Sequence, residues 1–90
     1  MIVIINVIGP EITLKQEIAL KPVSPTLKDV LRSLLDQKGG PWERIIKNDL
    51  SLAQGCVALV NGRNIMSLEG FETRIREGDE ITLTVIVAGG

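Results

Sequence analysis

The sequence contains no histidine and only one cysteine. Without histidine it lacks the side chain that most often serves as general base or metal ligand near neutral pH. With Cys56 alone it can close no intramolecular disulfide and assemble no thiolate cluster for zinc or iron–sulfur, which fits a reducing cytoplasm. An excess of one charge is missing as well. Ten cations stand against eleven anions, and the basic residues are scattered along the chain. That leaves no electrostatic footprint for nucleic acid or an anionic membrane. No apolar run approaches the roughly 18 residues that cross a bilayer, because Asn6, Gly9 and Pro10 interrupt the start and threonines interrupt the end. The first positive side chain is Lys15, so the apolar start has none of the basic character of an export signal. A phosphate loop is absent too, since Gly39-Gly40 is followed by Pro41 and not by Lys-Ser/Thr. These gaps argue against an autonomous enzyme and against a stably bound cofactor or metal.

What is present is the composition of a folded domain, 44% hydrophobic and 23% charged. Ninety residues suit one domain spanning 1–90 with one core and no deep cleft. Met1 to Ile8 is β-branched and apolar at almost every position, the pattern of a central strand covered on both faces. After Gly9-Pro10, Ile12, Leu14, Ile18 and Leu20 recur at even spacing with Thr13, Lys15 and Glu17 opposite, which predicts an amphipathic strand paired with the first as a hairpin. Pro22 to Pro25 breaks the chain. Thr26 with Asp29 then reads as a helix start, followed by Leu27, Val30, Leu31, Leu34 and Leu35 on one face. Gly39-Gly40 is a stop signal, and Pro41 opens a short second turn carrying Trp42, Ile45 and Ile46 inward. Strand character returns at Cys56 to Val60. Asn61-Gly62 then supplies a type I′ turn, with a return strand through Ile65. Ser67 to Glu77 is irregular, with Leu68, Phe71 and Ile75 as core plugs. Ile81 to Val87 closes the chain with Ile81, Leu83, Val85 and Val87 on one face and Thr82, Thr84 and Ile86 on the other.

The order ββα(short helix)βββ predicts an α+β fold: a mixed sheet of about five strands, one main helix across it, and the first and last strands as central neighbours. Three short motifs add to this: VNGR at Val60 to Arg63, REGDEI at Arg76 to Ile81, and VAGG at Val87 to Gly90. Together they resemble the MoaD/ThiS family of sulfur carriers, and the resemblance covers the whole chain in length and element order. It implies a ubiquitin-like β-grasp with a flexible Gly-Gly tail, and the length and the VAGG ending look closest to the molybdopterin-type carrier. Two departures stand out. Thr84 to Val87 could continue as strand where such carriers often place proline, and Thr82 and Thr84 occupy positions that are commonly aromatic.

What the resemblance implies is chemistry carried by Gly90. Glycine has no Cβ, so Gly89 and Gly90 can thread a narrow channel in a partner. An α-carboxyl with a reference pKa of roughly 3.3 to 3.7 is ionised at neutral pH and can attack the α-phosphorus of ATP. By resemblance, an adenylating enzyme of the MoeB/ThiF type spends the ATP, and sulfur then displaces AMP to leave a thiocarboxylate on Gly90. An acceptor enzyme, such as the large subunit of molybdopterin synthase, uses that sulfur. Ile86, Val87 and Ala88 would be the contacts just behind Gly89 and Gly90. Two other readings share the tail: a protein modifier joined to lysines through Gly90, and a carrier for thiamine thiazole or cysteine synthesis. An interaction module with an inert tail is the fourth reading. Cys56 reads as a buried small hydrophobe, Trp42 as packing, and the Asp79-Glu80 pair as a solvated loop.

Overall fold

The computed structural model describes residues 1–9, 13–21, 25–37 and 42–85. Five strands form one sheet: β1 (Ile2–Ile8), β2 (Thr13–Ala19), β3 (Cys56–Val60), β4 (Arg63–Asn64) and β5 (Glu80–Val85), in the spatial order β2-β1-β5-β3-β4. β1 runs antiparallel to β2 and parallel to β5, so the first and last strands are indeed central neighbours. Helix α1 (Leu27–Leu35) packs across one face, followed by the short α2 (Trp42–Ile45).

The core forms where two periodicities meet. Every second residue of the central strands (Val3, Ile5, Val7, Ile81, Leu83) faces the helical stripe Leu27, Val30, Leu31 and Leu34, and all nine are fully buried. Each such side chain contributes roughly 1.5 to 3 kcal/mol before entropy is subtracted. Trp42, Ile45 and Ile46 fill the end of the same cluster. The start of α1 is held by Asp29, whose Oδ2 accepts from the Thr26 N–H at 2.9 Å and from the Thr26 hydroxyl at 3.2 Å. The irregular stretch contributes Ile75 to the core, and Leu68 and Phe71 pack half-buried against it. It is tied down by main-chain bonds from Leu27 N–H to the Thr73 carbonyl and from Ile75 N–H to the Pro25 carbonyl.

Two expectations change. β1 is central within the sheet, but among the described residues the helices cover it on one face only; Ile2 and Ile8 are 46% and 50% exposed. A near-continuous apolar run therefore does not distinguish a strand buried on both faces from one whose second face is open. The return strand ends at Asn64, not Ile65. There the Asn64 side-chain oxygen accepts from the Met66 N–H at 2.9 Å and starts a 3-10 turn over Ile65–Ser67. The expectations at Pro10, Ile12, Pro22, Gly39-Gly40 and Pro41 lie outside the described residues.

Candidate functional site

The expected site residues Ile86, Val87, Ala88, Gly89 and Gly90 lie outside the described residues. The described structure gives the base from which they extend. β5 is the middle strand of the sheet, flanked by β1 on one side and β3 on the other. At its C-terminal end Thr84 is aligned with Ile8 and Val57, and Val85 with Cys56. The segment after Val85 thus starts from a strand that is paired on both sides.

Beside this exit point lies the helix-free face of the sheet. Alternation along β1, β5 and β3 puts Ile4, Asn6, Ile8, Thr82, Thr84, Val57 and Leu59 there, opposite their buried neighbours. Thr82 and Thr84 are half-buried and Ile8 is half exposed, so the face is mixed in character: aliphatic patches separated by small hydroxyls. Asn6 ties it together laterally, donating from Nδ2 to Glu80 Oε2 at 2.6 Å and to Thr82 Oγ1 at 3.4 Å. Periodicity had placed Thr82 and Thr84 on the outward side of β5. It missed Ile2, Ile4 and Ile8, for which the one usable signal was Asn6, a polar residue at an outward position of an otherwise apolar run.

Next to Cys56, the β3 residue paired with Val85, is an apolar depression of about 290 Å³ lined by Leu52, Val57, Ile65, Met66 and Phe71 among others. Met66 at its rim is 83% exposed. Cys56 is half-buried, not fully buried. Desolvation pushes its thiol above the ordinary value, so it holds its proton at neutral pH and is a poor nucleophile.

The two internal motifs prove to be one structural unit at the other end of β5. Asn61 and Gly62 take positive φ values of 51° and 84°, as a type I′ turn requires. The Asn61 side chain donates to Asp79 Oδ1 and accepts from the Glu80 N–H, both at 2.9 Å, while the Asn61 N–H donates to the Glu80 carbonyl at 2.7 Å. Asp79 Oδ2 accepts from the Arg76 N–H at 2.7 Å. The turn also grips β1: Gly78 N–H donates to the Ile2 carbonyl and Ile4 N–H to the Asp79 carbonyl. Asp79-Glu80 sits at a partly exposed turn, as expected, and in addition clamps β1, β5 and the β3–β4 hairpin together. No group of side chains suited to holding a metal ion occurs among the described residues. Nor is any helix there long and apolar enough to cross a membrane.

Residues 5–90 match the model of the ThiS family, a span that includes Val87 to Gly90. A candidate sulfur carrier protein of Archaeoglobus fulgidus is 38% identical over 65 residues, 72% of this chain and 74% of that protein. Small archaeal modifier protein 3 of Haloferax volcanii is 37% identical over 65 residues, 72% and 70% of the two chains. Among solved structures, that of SAMP1 from Haloferax volcanii superposes with a TM-score of 0.75 over 100% of both chains at 19% identity, a likeness of fold that makes the sheet and helix a ubiquitin-like β-grasp.

Proposed function

The chain belongs to the ThiS family, and from that premise we propose that it is a sulfur carrier whose Gly90 carboxylate is adenylated and then converted to a thiocarboxylate. The observation that supports this most is the reach of the family match, which takes in the Gly89-Gly90 pair along with the strand that precedes it. At the coarser level the chain is a ubiquitin-like carrier or modifier, small and built around one core.

The chemistry is a division of labour. Gly90 contributes an ionised carboxylate that attacks the α-phosphorus of ATP, expelling pyrophosphate. An adenylating enzyme of the MoeB/ThiF type supplies the nucleotide site and the metal. A sulfur donor then displaces AMP from the acyl carbon. The rigid base at Val85 and Cys56 sets where the tail begins, and Ile86, Val87 and Ala88 act as its contacts with the partner. The helix-free face beside Ile8, Thr84 and Val57 gives a docking partner both aliphatic and hydroxyl surface. An acceptor of the molybdopterin synthase large-subunit kind is the proposed destination, favoured by the resemblance of the Val87 to Gly90 motif, and the reducing cytoplasm is the proposed compartment.

A second reading has its own support: the 37% identity to a protein named as a modifier favours conjugation of Gly90 to lysine amines. Both readings require adenylation. With a cognate adenylating enzyme and ATP, the full chain should release pyrophosphate in proportion to protein, and a chain lacking Gly90 should release none. Equal release from both would remove Gly90 from the chemistry.

A further inference from the structure

β2 is an outer strand of the sheet, and among the described residues it pairs with β1 alone. The phase of that pairing is fixed at one end, where Leu20 N–H donates to the Met1 carbonyl at 2.7 Å and the Met1 ammonium to the Leu20 carbonyl at 3.2 Å. Hydrogen-bonded pairs then recur at every second residue: Val3 with Ile18, Ile5 with Gln16, Val7 with Leu14. On the other side of β1, Ile4 N–H points to β5, as the same phase demands. The main-chain groups of Thr13, Lys15, Glu17 and Ala19 therefore point away from β1, along the edge. These four residues are exposed. An edge of this length is a template for another strand. The opposite edge, β4, has only two residues and offers no comparable length.

Lys15 and Glu17 decide which strand it accepts. Two copies related by a two-fold axis can pair antiparallel with these outward groups in register. Centring the pair on Lys15 sets ammonium against ammonium, and centring it on Glu17 sets carboxylate against carboxylate. Centring it on Gln16 puts Lys15 of each copy directly opposite Glu17 of the other, Thr13 opposite Ala19, and the half-buried Leu14 opposite Ile18 on the core face. Opposite charges directly across a sheet stabilise it, and like charges destabilise it. We propose that β2 is a self-association edge: two copies pair antiparallel through Thr13–Ala19 about Gln16, joining their sheets into one. The sequence of this strand is self-complementary in that register and self-repelling in the two beside it. The edge lies one strand removed from β5, so pairing leaves the surface around Thr84 and Val57 open.

Sedimentation equilibrium of the full chain over a concentration series, with amide hydrogen exchange at each concentration, tests this. A reversible dimer is expected, with the amides of Thr13, Lys15, Glu17 and Ala19 gaining protection as it forms. Lys15→Glu or Glu17→Lys alone should weaken dimerisation about tenfold or more. An equimolar mixture of the two variants should pair as a heterodimer, and the double charge swap should restore the homodimer. Both residues are exposed, so circular dichroism should show every variant folded. A monomer at millimolar concentration would overturn the proposal. So would a dimer indifferent to the single reversals, a mixture that fails to pair, or protection confined to another surface.

Discussion

Asn61 does three things at once: it takes a left-handed backbone conformation, donates to Asp79 and accepts from the Glu80 N–H. Replacing it with alanine strains the left-handed turn and removes two solvent-exposed hydrogen bonds, which water can partly replace. Asn61→Ala should therefore destabilise the fold by about 1 kcal/mol, read as a lower urea midpoint at unchanged slope. Asp79→Asn should cost less, because an amide oxygen can still accept one of the bonds. Cys56 gives a pH-dependent counterpart. Its folded thiol titrates above its unfolded value because burial disfavours the thiolate. The neutral thiol's contribution is thus fully present below the unfolded pKa and is lost as pH rises through the folded one. At pH 8 Cys56 should alkylate more slowly than free cysteine, and adding urea to the unfolding range should abolish the difference. Equal rates in native protein would contradict the assigned burial. Asn61 was recognisable from its dipeptide with glycine. The role of Asp79 was not, since its partner lies 18 residues away in sequence.

Among the elements, α1 was the most legible, because apolar spacing and a start signal agree, and each is local. Its two determinants should separate in experiment. Asp29→Ala removes the acceptor for the Thr26 N–H and should cost roughly 0.5 to 2 kcal/mol. Leu31→Ala empties a fully buried site and should cost about 2 to 5 kcal/mol. Both are measured by chemical denaturation. β5 was legible as alternation, and β1 as a strand at the centre. The open second face of β1 was not legible, because apolar residues at Ile2, Ile4 and Ile8 look the same in sequence whether a helix or solvent lies above them. The end of β4 at Asn64 was equally hidden: one side-chain oxygen, accepting from Met66 N–H, decides between strand and 3-10 turn.

At the scale of the molecule, β5 has a hydrogen-bonded clamp at one end and leads at the other to the segment that carries the proposed function. The Asn61–Asp79 clamp locks the entry of the strand to β1 and the hairpin, while the exit beside Ile8 and Cys56 leads towards Gly90. Deleting Gly89 and Gly90 should leave the urea midpoint unchanged while abolishing carrier function, whereas Asn61→Ala should lower stability and leave the tail chemistry intact in the folded fraction. The topology was legible because two strongly apolar strands at the ends of a short chain have few places to go except the centre of one sheet. The proposed site at Gly90 lies outside the described residues and rests on its motifs and the family match, since a carboxylate on glycine has no side chain to betray a role. The most direct test is the intact mass of the full chain after incubation with host-cell lysate, ATP and cysteine, beside the Gly90-deleted chain. A sulfur carrier should gain the mass difference of one oxygen exchanged for one sulfur, in the full chain only. No change in mass, in a lysate shown to be active on another carrier, would contradict the carrier reading.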